Sequence, residues 1–164
     1  MRNPQDSDGA SVDLRESLLY VLADAESFNE AIERTLRAIC LAGEWEYGEA
    51  WFPEDEVLVP GPVYDPGDQF AAFGTRSANV TFEPGVGLVG RVYESAAVEW
   101  IDDLGDSEAF VRSAAAAGAG LESGVGIPIP GPDGDVIAVL AFFTTHHRTA
   151  DETFAEAVAD VVST

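Results

Sequence analysis

The chain has 164 residues, about one domain in length, and 46% of them are hydrophobic, enough to fill one core. Thirty acidic residues against eight basic ones give a formal net charge of −22, and all eight bases are Arg, with no Lys anywhere. That balance argues against direct nucleic-acid binding, which needs clustered Lys or Arg, and against an anionic membrane surface, while the ordinary apolar content argues against intrinsic disorder. Such an acidic surface is expected of a cytoplasmic protein folded in molar salt. Like-charge repulsion then reaches only about 3 Å, against roughly 10 Å at 0.1 M. The longest apolar run, Val136 to Phe143, falls well short of the ~20 residues a bilayer requires. The opening MRNPQDSDGASVD is polar and acidic and does not read as a secretory signal. With Cys40 the single cysteine, no intrachain disulfide is expected.

In chain order, residues 1–11 read as a flexible acidic tail, and one folded domain is expected over 12–164. Leu14, Leu18, Leu19 and Leu22 recur at helical spacing. A second helix is expected to open at Ser27, with Glu30 completing a capping box, and to end at Gly43. Its apolar stripe is Phe28, Ile32, Leu36, Ile39 and Cys40. Trp45, Tyr47, Glu49 and Trp51 share one parity of a strand, and Val57 to Tyr64, interrupted by Pro60 and Pro62, returns as a second strand after a turn at Pro53-Glu54-Asp55. Asp65 to Thr81 has weak periodicity and reads as a loop with a little helix. From Phe82 to Arg112 come a Gly-rich turn, a short helix bearing Arg91, a strand ending in Trp100-Ile101, the acidic connector Asp102-Asp103, and another helix bearing Arg112. Val125, Ile127 and Ile129 then alternate, PGPDGD turns, and VIAVLAFFTT returns apolar on both parities, which predicts a central strand. Pro128 and Pro130 imply an edge or a bulge. Thr149 and Glu152 cap a closing helix with Phe154, Val158, Val161 and Val162 inward. Helices first and last around an antiparallel sheet make an α+β arrangement.

Little in this pattern is catalytic. Gly85, Gly87 and Gly90 match the spacing of a dinucleotide fingerprint, but the preceding Ala78 to Phe82 is short and polar rather than a buried parallel strand. The glycines therefore read as a turn and a helix start. His146 and His147 are adjacent at a strand end, point to opposite faces and do not converge on one metal. No Ser-His-Asp order suggests a nucleophile, and Asp102-Asp103 reads as a connector rather than an acid/base pair.

Taken together, several pieces resemble the GAF sensor domain. They are Trp45 to Trp51 (WEYGEAW), Phe82 to Val92 (FEPGVGLVGRV), Glu99 to Leu104 (EWIDDL), Phe110-Val111-Arg112, Ala116 to Leu121, Gly126 to Ile129 and Val139 to Phe143. The likeness runs from about Val12 to Thr164 and is similar in particular to GAF modules of haloarchaeal regulators of the bacterio-opsin-activator type and of sensor kinases. The resemblance implies a central antiparallel sheet with N- and C-terminal helices packed on one face and a pocket-covering connection on the other. It implies a pocket lined by Trp51, Trp100, Phe110, Arg112, Ile127 and Phe142, with Arg91 and Arg112 as anion contacts. Arg91 and Arg112 also have a structural reading, which for Arg91 is an ion pair with Asp102 or Asp103; each Trp reads as core before it reads as a ligand platform.

What the resemblance implies about function is a non-catalytic, cytoplasmic signal-input module of a regulatory or transcription-control protein. It would bind a small molecule of unknown identity, the cofactors being unknown as well, and couple pocket occupancy to the terminal helices and to a homodimer or a protein partner. The rivals are a ligand-free dimerisation module and a small redox enzyme of the same fold. Bilin attachment needs Cys beside His on the helix from Glu108 to Gly118, which has neither. Reduction of free methionine sulfoxide needs several redox cysteines, and Cys40 alone sits on an apolar stripe. The Asn-Lys signature of cyclic-nucleotide GAF domains is absent with Lys itself.

Overall fold

The computed structural model describes residues 28–105, 112–148 and 158. The expected tail over 1–11, the helix from Leu14 to Leu22, the cap at Ser27 and the closing helix around Phe154 to Val162 lie outside the described residues, Val158 excepted. The elements are α1 (Phe28–Gly43), β1 (Tyr47–Glu54), β2 (Val57–Tyr64), a 3-10 turn (Pro66–Asp68), α2 (Ala71–Ser77), α3 (Gly87–Ser95), β3 (Glu99–Ile101), α4 (Ser113–Ala119), β4 (Ser123–Pro130) and β5 (Val136–Thr144).

The five strands form one sheet in the order β2-β1-β5-β4-β3, with every neighbouring pair antiparallel. β5 is central, as its two apolar parities require. Val139, Ala141 and Phe143 enter one core, and Ala138, Leu140 and Phe142 enter the other. The outer core sits under α1, through Ile32, Leu36, Ile39 and Cys40, and includes Val158. The inner core is roofed by α2, α3 and α4 through Phe73, Leu88, Val89, Val92 and Ala116. This is the α+β layer order the sequence predicts.

Local chemistry explains the joints. The β1–β2 hairpin turns on Asp55 and Glu56, both left-handed (φ 52° and 70°), as a two-residue loop with the twist of its strands requires. β4 meets the roof through glycines: a Cβ at Gly124 would come 2.4 Å from Phe143 Cδ1, and one at Gly126 would come 2.8 Å from Val92 Cγ2. A side chain at Gly126 would push against Val92 and Leu88 of α3, and one at Gly124 would displace the Phe143 ring on β5.

Three details differ from the pattern in the sequence. The β1–β2 turn sits on Asp55 and Glu56 rather than on Pro53-Glu54-Asp55, because Pro53 and Glu54 still pair with Leu58 and Val57. Glu44 is left-handed (φ 59°) and Trp45 N bonds back to Cys40 O at 3.0 Å, so β1 begins only at Tyr47. Trp45 consequently drops to the α1 side, while Tyr47 and Trp51 face inward. Phe28 is half exposed at the start of α1, its ring 5.4 Å from that of Phe52, rather than part of the buried stripe.

Candidate functional site

β1 is buried over its first five residues, and its inward parity reads Tyr47, Glu49, Trp51. Glu49 is 1% exposed. A carboxylate removed from water this completely persists only if a counter-charge and hydrogen bonds replace the lost hydration. Both are present. Arg112, which stands immediately before α4 and is 7% exposed, donates from Nη1 to Glu49 Oε1 at 2.9 Å and to Ser77 Oγ at 2.8 Å. Its Nη2 lies 2.7 Å from Glu49 Oε2, and Trp51 Nε1 donates to that same oxygen at 2.6 Å. A planar guanidinium fork meets a planar carboxylate, the match that Arg makes and Lys does not.

The guanidinium is also boxed in. Its Cζ lies 5.2 Å from the centroid of Trp51, 5.1 Å from Phe73, 5.3 Å from Phe82 and 5.5 Å from Phe143. All four rings are within the roughly 6 Å over which a ring face attracts a cation. They come from four places in the chain: β1, α2, the segment bridged to β2 by paired Leu58–Phe82 backbone bonds, and β5. Tyr47 packs behind them, its ring 5.3 Å from Phe73 and 6.0 Å from Phe143. Its hydroxyl is buried beside Glu49, and burial first, then the Glu49 charge, pushes the phenol above its usual range. Outside the box, a cleft of about 280 Å³ runs between α2 and α4, lined by Ala72, Phe73, Arg76, Ala114, Ala115 and two further small residues of α4. Phe73 is the wall the cleft shares with the box.

The structure divides the residues singled out in the sequence. Trp51 and Arg112 meet in the box. Ile127 and Phe142 belong to the core under α1, and Trp100 packs there against Trp45 at 5.8 Å, so these three lie on the opposite face of the sheet from Arg112. The reason is strand parity: β4 turns Gly124 and Gly126 toward the roof and Val125 and Ile127 away from it, and β5 gives the roof Phe143 rather than Phe142. Arg91 pairs with Glu99, through Nε to Oε1 at 3.1 Å and through Nη2 to Oε2, instead of with Asp102 or Asp103. Phe110 lies outside the described residues. Glu49, Ser77, Phe73, Phe82 and Phe143 complete the box without having been singled out.

Other features of the sequence resolve structurally. Gly85 and Gly87 are left-handed (φ 84° and 69°), and a Cβ on Gly90 would fall 2.3 Å from Glu83 O. These glycines fold the turn onto α3, closed by Gly85 N to Gly90 O at 2.8 Å. Near His146, Glu46 Oε1 accepts from Thr144 Oγ1, Thr145 N and Thr145 Oγ1 at 2.9, 2.9 and 2.7 Å. Burial pushes the Glu46 carboxyl up, but these bonds outweigh it and hold the group below its ordinary value. Among the described residues no group of three His, Cys, Asp or Glu is placed to hold a metal ion. Cys40 is buried on the core-facing side of α1, where burial pushes its thiol up to about 12.

The profile of the GAF domain matches residues 25–164. No curated protein matches the chain. Among solved structures, the GAF domain of A. aeolicus nlh2 in an inactive state superposes with a TM-score of 0.73 at 15% identity, covering 94% of this chain and 92% of that one. A GAF sensor protein of Burkholderia vietnamiensis, so described provisionally, gives 0.74 at 16%, covering 95% and 92%. The free methionine-R-sulfoxide reductase of Neisseria meningitidis, in complex with its substrate, gives 0.75 at 17%, covering 99% and 89%. At these identities the likenesses speak for the fold alone.

Proposed function

This chain belongs to the GAF domain family, and from that premise we propose that it is a non-catalytic signal-input module, sensing a small molecule in the box beneath α2 and α4. One observation carries the reading: Arg112 ties α4 to β1 through Glu49 and to α2 through Ser77. A ligand that changes this contact changes how α4 is seated, and a bound state differs from the free one by that difference in contacts. From α4 the change passes to the terminal helices and to a second copy of the chain or a regulatory partner. The acidic, Lys-free composition supports a cytoplasmic regulator working in high salt, of the bacterio-opsin-activator or sensor-kinase kind, including regulators of transcription. No described helix is long and apolar enough to cross a membrane.

The test is a thermal-shift screen of small molecules in molar KCl, run on wild type and Arg112→Ala. Compounds that raise the melting temperatures of wild type and Arg112→Ala by clearly different amounts, in either direction, support sensing at this site. A wild type indifferent to every compound extracted from its own cytosol supports the rival, a ligand-free dimerisation module.

The methionine sulfoxide reductase among the structural neighbours favours a second reading, a redox enzyme. Against it, Cys40 lies in the core on the other face of the sheet from the box, protonated at any physiological pH. Turnover of free methionine sulfoxide that disappears in Cys40→Ser would restore the enzymatic reading.

A further inference from the structure

Resting on the sensing role just described, we propose that the box is a receptor for a small organic cation, a guanidinium or quaternary ammonium head group, and that Arg112 is its built-in occupant. Four ring faces and one carboxylate converge on a single point, which is what a desolvated cation requires. Trp51 Nε1 holds Glu49 in place from its own strand, so part of the receptor is organised without Arg112. The Tyr47 hydroxyl, buried beside Glu49, offers a further acceptor through its oxygen. The cleft between α2 and α4 abuts the box through Phe73 and has room for the body of a ligand whose head lies inside.

The charge balance selects the sign. An anion would have to compete with Glu49 for a fork already bound at both ends, inside a chain of net charge −22. A cation replaces Arg112 like for like, is drawn in by the surrounding field, and releases Arg112 to a surface rich in carboxylates. Its arrival unties α4 from β1 and α2 in one event, which is the signal. The occupancy of the box by Arg112 lowers the apparent affinity by the fraction of molecules in which the box stands open.

The experiment titrates wild type, Arg112→Ala and the Arg112→Ala/Glu49→Gln double variant with methylguanidinium and tetramethylammonium, following Trp fluorescence at constant ionic strength. Sodium acetate and inorganic phosphate serve as the anionic arm. The expected result is saturable cation binding to Arg112→Ala at least about tenfold tighter than to wild type, since the competitor is gone, and its loss in the double variant. Equal affinity in wild type and Arg112→Ala, or no saturable cation response in either, overturns the proposal. Where Arg112→Ala does not fold, Arg112→Gln and the wild-type titration decide: wild type must bind the cation weakly and saturably, and Arg112→Gln more tightly. Acetate or phosphate binding to wild type that requires Arg112 sinks the cation receptor while leaving the sensing role intact. Binding of neither charge, together with an empty metabolite screen, removes both.

Discussion

Replacing Glu49 with Gln keeps the outline of the side chain but removes the charge against which Arg112 is buried. Breaking a buried pair from one side leaves the other charge uncompensated and costs about 3–5 kcal/mol. Denaturant unfolding of Glu49→Gln should show a loss in that range. The Glu49→Gln/Arg112→Met double variant should lose clearly less than the sum of the two singles, because no orphan charge remains. Cys40 offers a second residue-level test: with its thiol pushed up to about 12 and its side chain 2% exposed, a thiol reagent at pH 8 should react only as fast as the fold opens. At this scale strand parity was legible and partnership was not. The alternation Tyr47-Glu49-Trp51 already places a carboxylate on a buried parity, a signal that it needs a cation. Its partner is 63 positions away in the chain, and no local pattern reaches that far. Phe142 and Phe143 show the complementary failure, since a strand apolar on both faces does not say which face meets the roof.

Among elements, α3 and its preceding turn depend on contacts that the glycine pattern only hints at. Gly90→Ala puts a methyl group into the backbone at Glu83 and should cost about 1–3 kcal/mol in denaturant unfolding. Gly118→Ala is the contrast: its Cβ meets nothing within 4 Å, and it should stabilise α4 by up to about 1 kcal/mol while narrowing the cleft. The link between the end of β5 and the segment before β1 is pH-dependent through Glu46. Its folded carboxyl sits below the ordinary value of 4.5, so its contribution is present above that value and is lost as pH falls through the depressed folded pKa. Melting curves of wild type and Glu46→Gln should therefore differ near neutral pH and converge in acid. β5 was legible as central because its sequence is apolar throughout. α2 was only half legible, because AAFGTRS is short and carries an internal Gly74. It holds its place through Phe73, buried among Tyr47 and Phe143, and behind Asp65 Oδ2, which accepts from Phe70 N at 3.0 Å.

For the molecule as a whole, the −22 charge acts on the surface and the Glu49–Arg112 pair acts inside, and salt separates the two. Added KCl screens exposed repulsion and leaves buried pairs almost untouched. The melting temperature of wild type should climb between dilute buffer and molar KCl, while the deficit of Arg112→Ala relative to wild type stays nearly constant. A melting temperature that ignores KCl would contradict the salt-adapted reading. Family likeness was legible at this scale from the order of pieces, because layer order follows from alternation and turns. The box was not, because it is assembled from five separate segments, four that supply its rings and one that supplies Arg112. One consequence belongs to the sheet's rim. β3 spans three residues and pairs only with Gly124, Val125 and Gly126, so beyond them no described strand covers that side of β4. Pro128 and Pro130 occupy this stretch and withhold the amide hydrogens that an intruding chain would need to extend the ladder. They act as guards against runaway polymerisation in a crowded cell.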